Sequence, residues 1–255
     1  MSSVVQVLSP QAEELQAKRR ELAELRKELA EMELLLSTEK ASLNIFEMRY
    51  QKVVGAKYAD LDIVKAQVLS LASKLYPNAE TFREEAESAQ EQANGYSEKK
   101  QPVNPQKEFK PPENLKKLFR RVAKKIHPDL TSSPEERKKR HDLMAKLNEA
   151  YDRLDEQAIR FILIEWEAEE HVESPLELGE QLLRVIGQME QIRSRLNNIF
   201  SEMDELKLTE MSQLKTNIES AEKEGRDLLQ EIADDIEEKI NKAKSQIRDL
   251  AYDFI

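Results

Sequence analysis

Leucine recurs every seven residues through Leu15, Leu22, Leu29, Leu36 and Leu43, and Tyr50 continues the series. Leu25, Met32, Phe46 and Val53 supply the companion positions, which completes the a/d seam of a coiled-coil helix. Ser9-Pro10 opens this pattern as N-cap and first helical residue. Near Gly55 the register slips by one, and Val54, Leu61, Val68 and Leu75 carry the stripe onward. A slip of that kind predicts a local change of supercoil or a kink. Pro77-Asn78 ends the pattern, so residues 10 to 76 would span roughly 100 Å as one helix.

A second long apolar series fills the C-terminal third. Ser174-Pro175-Leu176-Glu177 reads as a capping box. The seam that follows is Leu182, Val185, Met189, Ile192, Leu196, Ile199, Met203 and Leu206. Spacing breaks at Lys207 to Glu210, where Thr209 can cap a new helix. The new stripe runs through Met211, Leu214, Ile218, Ala221, Leu228, Ile232, Ile236, Ile240, Ile247 and Leu250. Two long helices folded into an antiparallel coiled-coil hairpin are expected here, with a single bent helix as the alternative.

Composition narrows the function classes. Charged residues make up 35% of the 255, aromatics 5%, and there are only 5 glycines, a balance that suits solvated helix rather than one large globule. The net charge of −10 argues against general binding to nucleic acid or anionic membrane. The absence of cysteine removes disulfides, thiol catalysis and Cys-ligated metal. The longest apolar run, Phe161 to Ile164, is far short of the roughly 20 residues that cross a bilayer, and MSSVVQVLSP lacks the features of a secretory signal. A cytoplasmic protein is expected.

Between the two series lies a different kind of sequence. Residues 79 to 94 can form a polar helix without a convincing apolar face. Asn94-Gly95 through Pro112 reads as a linker. Then comes ENLKKLFRRVAKKI, whose charges and apolar residues separate completely at 100° per residue. Lys116, Lys117, Arg120, Arg121, Lys124 and Lys125 fill one half-circle; Leu115, Leu118, Phe119, Val122, Ala123 and Ile126 fill the other. His127-Pro128-Asp129 and a short polar loop follow. Ser133-Pro134-Glu135-Glu136 then sets Ser at N-cap, Pro at N1 and Glu at N3 of a second helix. Its stripe is Leu143, Leu147, Ala150, Tyr151 and Leu154. Two such helices would form an antiparallel hairpin with His127, Pro128 and Asp129 at the tip. The following DEQAIRFILIEWEAEEH continues as helix, with Ile159, Ile162, Leu163 and Trp166 on a side able to cover the hairpin.

FRRVAKKIHPD, a loop and LMAKLNEAYDRL together resemble the second and third helices of the J domain of DnaJ-type co-chaperones. The likeness runs from Glu113 to Leu154. More loosely, the whole chain looks like bacterial J-domain proteins whose domain lies between coiled coils, with YQKVVGAKYADLD and EKEGRDLLQEI as further points of likeness. The resemblance implies that His127, Pro128 and Asp129 engage a DnaK-type heat-shock chaperone and stimulate its ATP hydrolysis. Lys116, Lys117, Arg120, Arg121, Lys124 and Lys125 would dock on that chaperone's acidic surface. The residue chemistry suits this: a one-sided cationic helix steers an acidic partner, Pro128 stiffens the corner, and Asp129 can receive a guanidinium bidentately. Hydrolysis would occur in the partner, so the chain would be no enzyme and would need no cofactor.

Two departures from the J-domain pattern keep alternatives open. VNPQKEFKPP lacks the Tyr and Leu-Gly of a first J-domain helix, and IRFILIEWE stands where a basic fourth helix belongs. Either a shortened J domain is completed by residues 155 to 170 and the coiled coils, or the hairpin is J-like without full activity. The other readings are plain. His141 and His171 show no ligand spacing to His127, so neither metal binding nor catalysis is expected. Arg137-Lys138-Lys139-Arg140 reads as a solvated helix face, Glu-rich coiled-coil patches as solvated flanks, and Phe119, Tyr151 and Trp166 as core.

The expectation is therefore an all-α protein with a central J-like hairpin between long coiled-coil helices. Its parts are an N-terminal coiled coil at 1–78, a polar helix and linker at 79–112, a J-like region at 113–172 and a coiled-coil hairpin at 173–255. Its expected role is a co-chaperone whose arms bind a client or another copy. The rival is a structural or adaptor coiled-coil protein with a non-stimulating hairpin.

Overall fold

The computed structural model describes residues 9–75, 88, 109–131, 133–168 and 177–252. Every regular element among them is helical: α1 (Pro10–Tyr50), a π turn (Gln51–Gly55), α2 (Ala56–Leu75), α3 (Glu113–Ile126), a 3-10 turn (Pro128–Leu130), α4 (Pro134–Asp152), α5 (Glu156–Ala168), α6 (Leu178–Leu208), α7 (Glu210–Lys223) and α8 (Leu228–Tyr252). None of the described helices is long and apolar enough to cross a membrane. The chain divides into two compact units. One takes the described residues up to Ser42 with those of Phe109–Thr209, the other those of Leu43–Glu108 and Glu210–Ile255.

In the first unit the α1 seam packs on the α6 seam. Leu15, Leu22, Leu29 and Leu36 share one core with Val185, Met189, Ile192, Leu196 and Ile199. The flanking pairs Arg19–Gln181 (2.7 Å), Arg26–Gln188 (3.1 Å), Glu33–Arg195 (2.8 Å) and Lys40–Glu202 (2.9 Å) all keep a sequence separation of 162. A constant offset at seven-residue steps means that the helices run parallel, one heptad opposite one heptad. The expected antiparallel hairpin of the two C-terminal helices is thus replaced. The α6 seam is occupied by α1, and α8 packs on α2. Periodicity marks a seam but not its partner, so the sequence left that choice open.

The remaining helices of this unit form a layer of their own. All six apolar residues of the α3 half-circle are buried, as are Leu143, Leu147, Ala150 and Tyr151 of α4 and Ile159, Ile162 and Trp166 of α5. Leu154, at φ 56°, ends α4: the Asp155 N–H donates to the Ala150 carbonyl (2.9 Å) and the Leu154 N–H to Tyr151 (2.9 Å). That is a Schellman stop, with leucine where glycine is usual. Asp155 then caps α5 by accepting from the Ala158 N–H at 2.9 Å. Phe109, read as linker, is buried edge-on against Tyr151 with ring centroids 5.6 Å apart. The rest of the expected polar helix and linker, Ser88 apart, lies outside the described residues up to 108. So does the capping box at Ser174; α6 begins after Glu177, whose N–H donates to the Glu180 carboxylate at 3.3 Å.

The second unit houses the register slip. A π turn adds one residue to a helical turn, and Gln51–Gly55 places it where the heptad series shifts from Val53 to Val54. Val54 within the turn and Leu61 beyond it are buried. Lys57 pairs with Glu237, and Arg49 with Glu222 at 2.7 Å. The C-terminal stripe is not continuous, however. Gly225, at φ 82°, stops α7 in a second Schellman motif, with the Arg226 N–H donating to the Ala221 carbonyl at 2.9 Å. Asp227 restarts the helix, and Leu229 and Ala233 are buried there instead of Leu228 and Ile232.

The layers make a direct prediction for stability. Phe119→Ala should cost about 3–5 kcal/mol in equilibrium denaturant unfolding, as expected for a fully enclosed aromatic. Phe161→Ala, on the exposed side of α5, should stay within about 0.5 kcal/mol.

Candidate functional site

The chain leaves α3 at His127, turns through Pro128–Leu130 and enters α4. His127 ends α3 with its N–H on the Ala123 carbonyl (3.0 Å), and its own carbonyl accepts from Leu130 (3.1 Å). Pro128 fixes φ at the start of the 3-10 turn. The His127 Nδ1 accepts from the Asp129 N–H at 3.2 Å, which leaves the ring proton on Nε2. Within the helical layer, Arg140 locks the corner. Its Nη1 donates to the Lys125 carbonyl (2.9 Å) and the His127 carbonyl (3.3 Å), and Glu136 Oε1 holds its Nε and Nη2 at 2.9 and 2.7 Å. The guanidinium lies over the Trp166 ring, 4.6 Å from its centroid. A cation there meets the free carbonyls and negative end of α3. The basic run at 137–140 is therefore a solvated face only for its first three members, since Arg140 is buried. The expected Ser133 capping bond is not formed; the Ser133 N–H donates to Thr131 Oγ1, whose hydroxyl donates to Glu136 at 2.8 Å.

His127 does not stand at an exposed tip. It is 2% exposed, and its Nε2 faces Glu33 Oε1 of α1 at 2.9 Å. Glu33, 4% exposed, is in turn held by Arg195 of α6, with Nε–Oε1 at 2.8 Å and Nη2–Oε2 at 3.3 Å. Burial pushes the Glu33 carboxyl up, but hydrogen bonds from His127 and Arg195 outweigh it and hold the group below its ordinary value. For Arg195, burial acts downward and the Glu33 and Glu202 carboxylates more than reverse it. Two amides of α6 complete the grip. Gln188 donates to the Leu130 carbonyl at 2.9 Å, and Gln191, with its amide oriented to suit both neighbours, donates to the Asp129 carbonyl at 3.2 Å and accepts from Arg137 at 2.9 Å. Leu130 itself belongs to the α1–α6 core.

The other predicted residues stay outward. Pro128 is half-buried, and the Asp129 side chain keeps 24% of its exposure. Arg120 pairs with Glu31 and Glu113 (3.0 and 3.1 Å), Lys116 with Glu113 (3.9 Å), and Lys125 with Glu167. Lys117, Arg121 and Lys124 are exposed, and among the described residues none has an acidic partner within ion-pair distance. The corner thus buries His127 and Leu130 and leaves Asp129 partly exposed, after a helix that carries three open cations. Among the described residues no group of three or more His, Asp and Glu converges as a metal ion requires.

Glu33, Arg140, Gln188, Gln191 and Arg195 escaped the sequence reading. Glu33 falls among the Glu-rich coiled-coil patches that read as solvated flanks; its one signal is an acidic residue in a series that otherwise reads Arg19, Arg26, Lys40. No family model, no curated protein and no solved structure matches the chain.

The buried carboxylate makes stability pH-dependent with a definite sign. Glu33 titrates lower in the folded chain than its ordinary 4.5, so its contribution is complete above about pH 4.5 and is lost as pH falls through the depressed value. Urea midpoints from pH 7 down to pH 3 should show the gap between the natural chain and Glu33→Gln constant above that point and closing below it.

Proposed function

We propose that this chain is a DnaJ-type co-chaperone that docks on a cytoplasmic DnaK-type chaperone and stimulates its ATPase, its coiled-coil arms serving to bind a client or a second copy. The observation that carries the reading is the open row Lys117, Arg121 and Lys124, followed along the chain by a partly exposed Pro128-Asp129 corner. Three cations on successive turns present one continuous positive strip, which orients an acidic partner before contact. Asp129 at its end offers a carboxylate to a guanidinium. The helical hairpin of α3 and α4, with α5 covering its core, is the module that carries both. Lys116, Arg120 and Lys125 belong to the same face, but their internal partners make them weaker contributors. Nothing in this role needs a reaction on the chain itself.

One observation favours the rival, a structural or adaptor coiled-coil protein: both ring nitrogens of His127 are engaged internally. A single-turnover ATPase assay with a DnaK-type chaperone separates the two. Reversing Lys117, Arg121 and Lys124 to Glu should slow association about ten- to a hundredfold at low salt, with the difference shrinking as salt rises. Asp129→Asn should abolish stimulation without loss of helical content. Failure to stimulate in any salt, by the natural chain and by variants whose His127 is freed alike, overturns the co-chaperone reading in favour of the adaptor.

A further inference from the structure

We propose that the parallel α1–α6 pair is an autoinhibitory clamp on the His-Pro-Asp corner, closed by Glu33, Gln188, Gln191 and Arg195. It opens when the α3–α5 layer parts from the pair. What the clamp inhibits rests on the co-chaperone reading; that it closes off His127 does not.

Three features distinguish a clamp from ordinary packing. First, the grip follows the corner residue by residue: His127 on Glu33, the Asp129 carbonyl on Gln191, the Leu130 carbonyl on Gln188. Gln188, Gln191 and Arg195 stand three and four residues apart, so one face of α6 carries them all. Second, opening orphans no charge. Arg195 meets both oxygens of Glu33 without His127, and also pairs with Glu202 at 2.5 Å, so the α1–α6 seam keeps its ion pairs when the corner leaves. Breaking a buried ion pair would be prohibitive; releasing a neutral imidazole from one is not. Third, the corner keeps its own shape when released. The Arg140 bonds to the Lys125 and His127 carbonyls, and the Asp129 N–H on His127 Nδ1, lie wholly within the α3–α4 layer. Contacts across the closed boundary include further exchangeable polar pairs. Arg120 meets Glu31 at 3.0 Å, Ser37 donates to Asn148 at 3.0 Å, and the Tyr151 hydroxyl lies 3.0 Å from Thr38.

The test uses the full chain and two variants. Glu33→Ala removes the carboxylate. Gln188→Ala combined with Gln191→Ala loosens the corner from α6 and leaves the ion pair intact, should the first variant unfold. Carbethoxylation by diethyl pyrocarbonate, read residue by residue by mass spectrometry, reports His127 against the exposed His141. The chaperone's single-turnover ATPase is measured in parallel. In the natural chain His127 should react about tenfold or more slower than His141. Either variant should raise the His127 rate at least about fivefold, leave His141 unchanged, and raise stimulation in a way that Asp129→Asn abolishes. His127 as reactive as His141 in the natural chain overturns the clamp. So does a variant that frees His127 yet stimulates no better than a natural chain that already stimulates. Freed His127 with no stimulation by any chain supports the clamp and overturns the co-chaperone reading instead.

Discussion

The first unit depends on one carboxylate taken out of water. Glu33 lies between two helices and a turn that are far apart in sequence, and an isolated charge there would be costly. It is tolerated because His127 and Arg195 both donate to it. Such an arrangement is weak evidence for stability, since apolar residues of similar volume often do as well. Its effect is on placement. With α1 and α6 slid by one heptad, Arg195 would meet Arg26 or Lys40 in place of Glu33. One polar contact therefore fixes which turn of the parallel pair faces the corner, and so fixes the corner's orientation.

The same logic of register governs the second unit by other means. There the apolar series slips by one residue, and a slipped stripe would rotate about 100° away from its partner. The π turn at Gln51–Gly55 absorbs the extra residue without ending the helix. Gly225 and Leu154 answer a different need, stopping a helix outright, and both do so in the left-handed region. A glycine there is permissive; the leucine is strained by roughly 1–2 kcal/mol and is held by the layer around it.

Much of this could be read in the sequence, and what could not follows a rule. Period and capping depend on neighbours along the chain, so the α1 and α6 seams, the buried half of α3 and the slip near Gly55 were legible. The break at Gly225 carried its own signal, a glycine followed by Arg226-Asp227, yet the apolar spacing ran across it and masked it. Pairing depends on which seams meet, and mixed Leu, Ile, Met and Val positions name no partner. The burial of Glu33, the parallel direction of α6 and the inward turn of His127 all follow from that one undetermined choice. Arg140 was hidden differently: within a run of four cations nothing local says which one a neighbouring carbonyl will claim.

That division separates a motif from its availability. His127, Pro128 and Asp129 are consecutive, yet the tripeptide faces two ways: the imidazole turns toward α1 and the carboxylate toward solvent. His127 stands before the 3-10 turn with ψ near 134°, and that change of backbone direction between α3 and the turn lets its ring reach Glu33 while Asp129 stays partly exposed. The row Lys117, Arg121 and Lys124 is exposed and takes no part in the contacts that hold Glu33. Holding the histidine therefore does not neutralise the cations, and loading the cations need not disturb the histidine. A partner attracted by the positive strip would reach Asp129 first and find His127 still engaged.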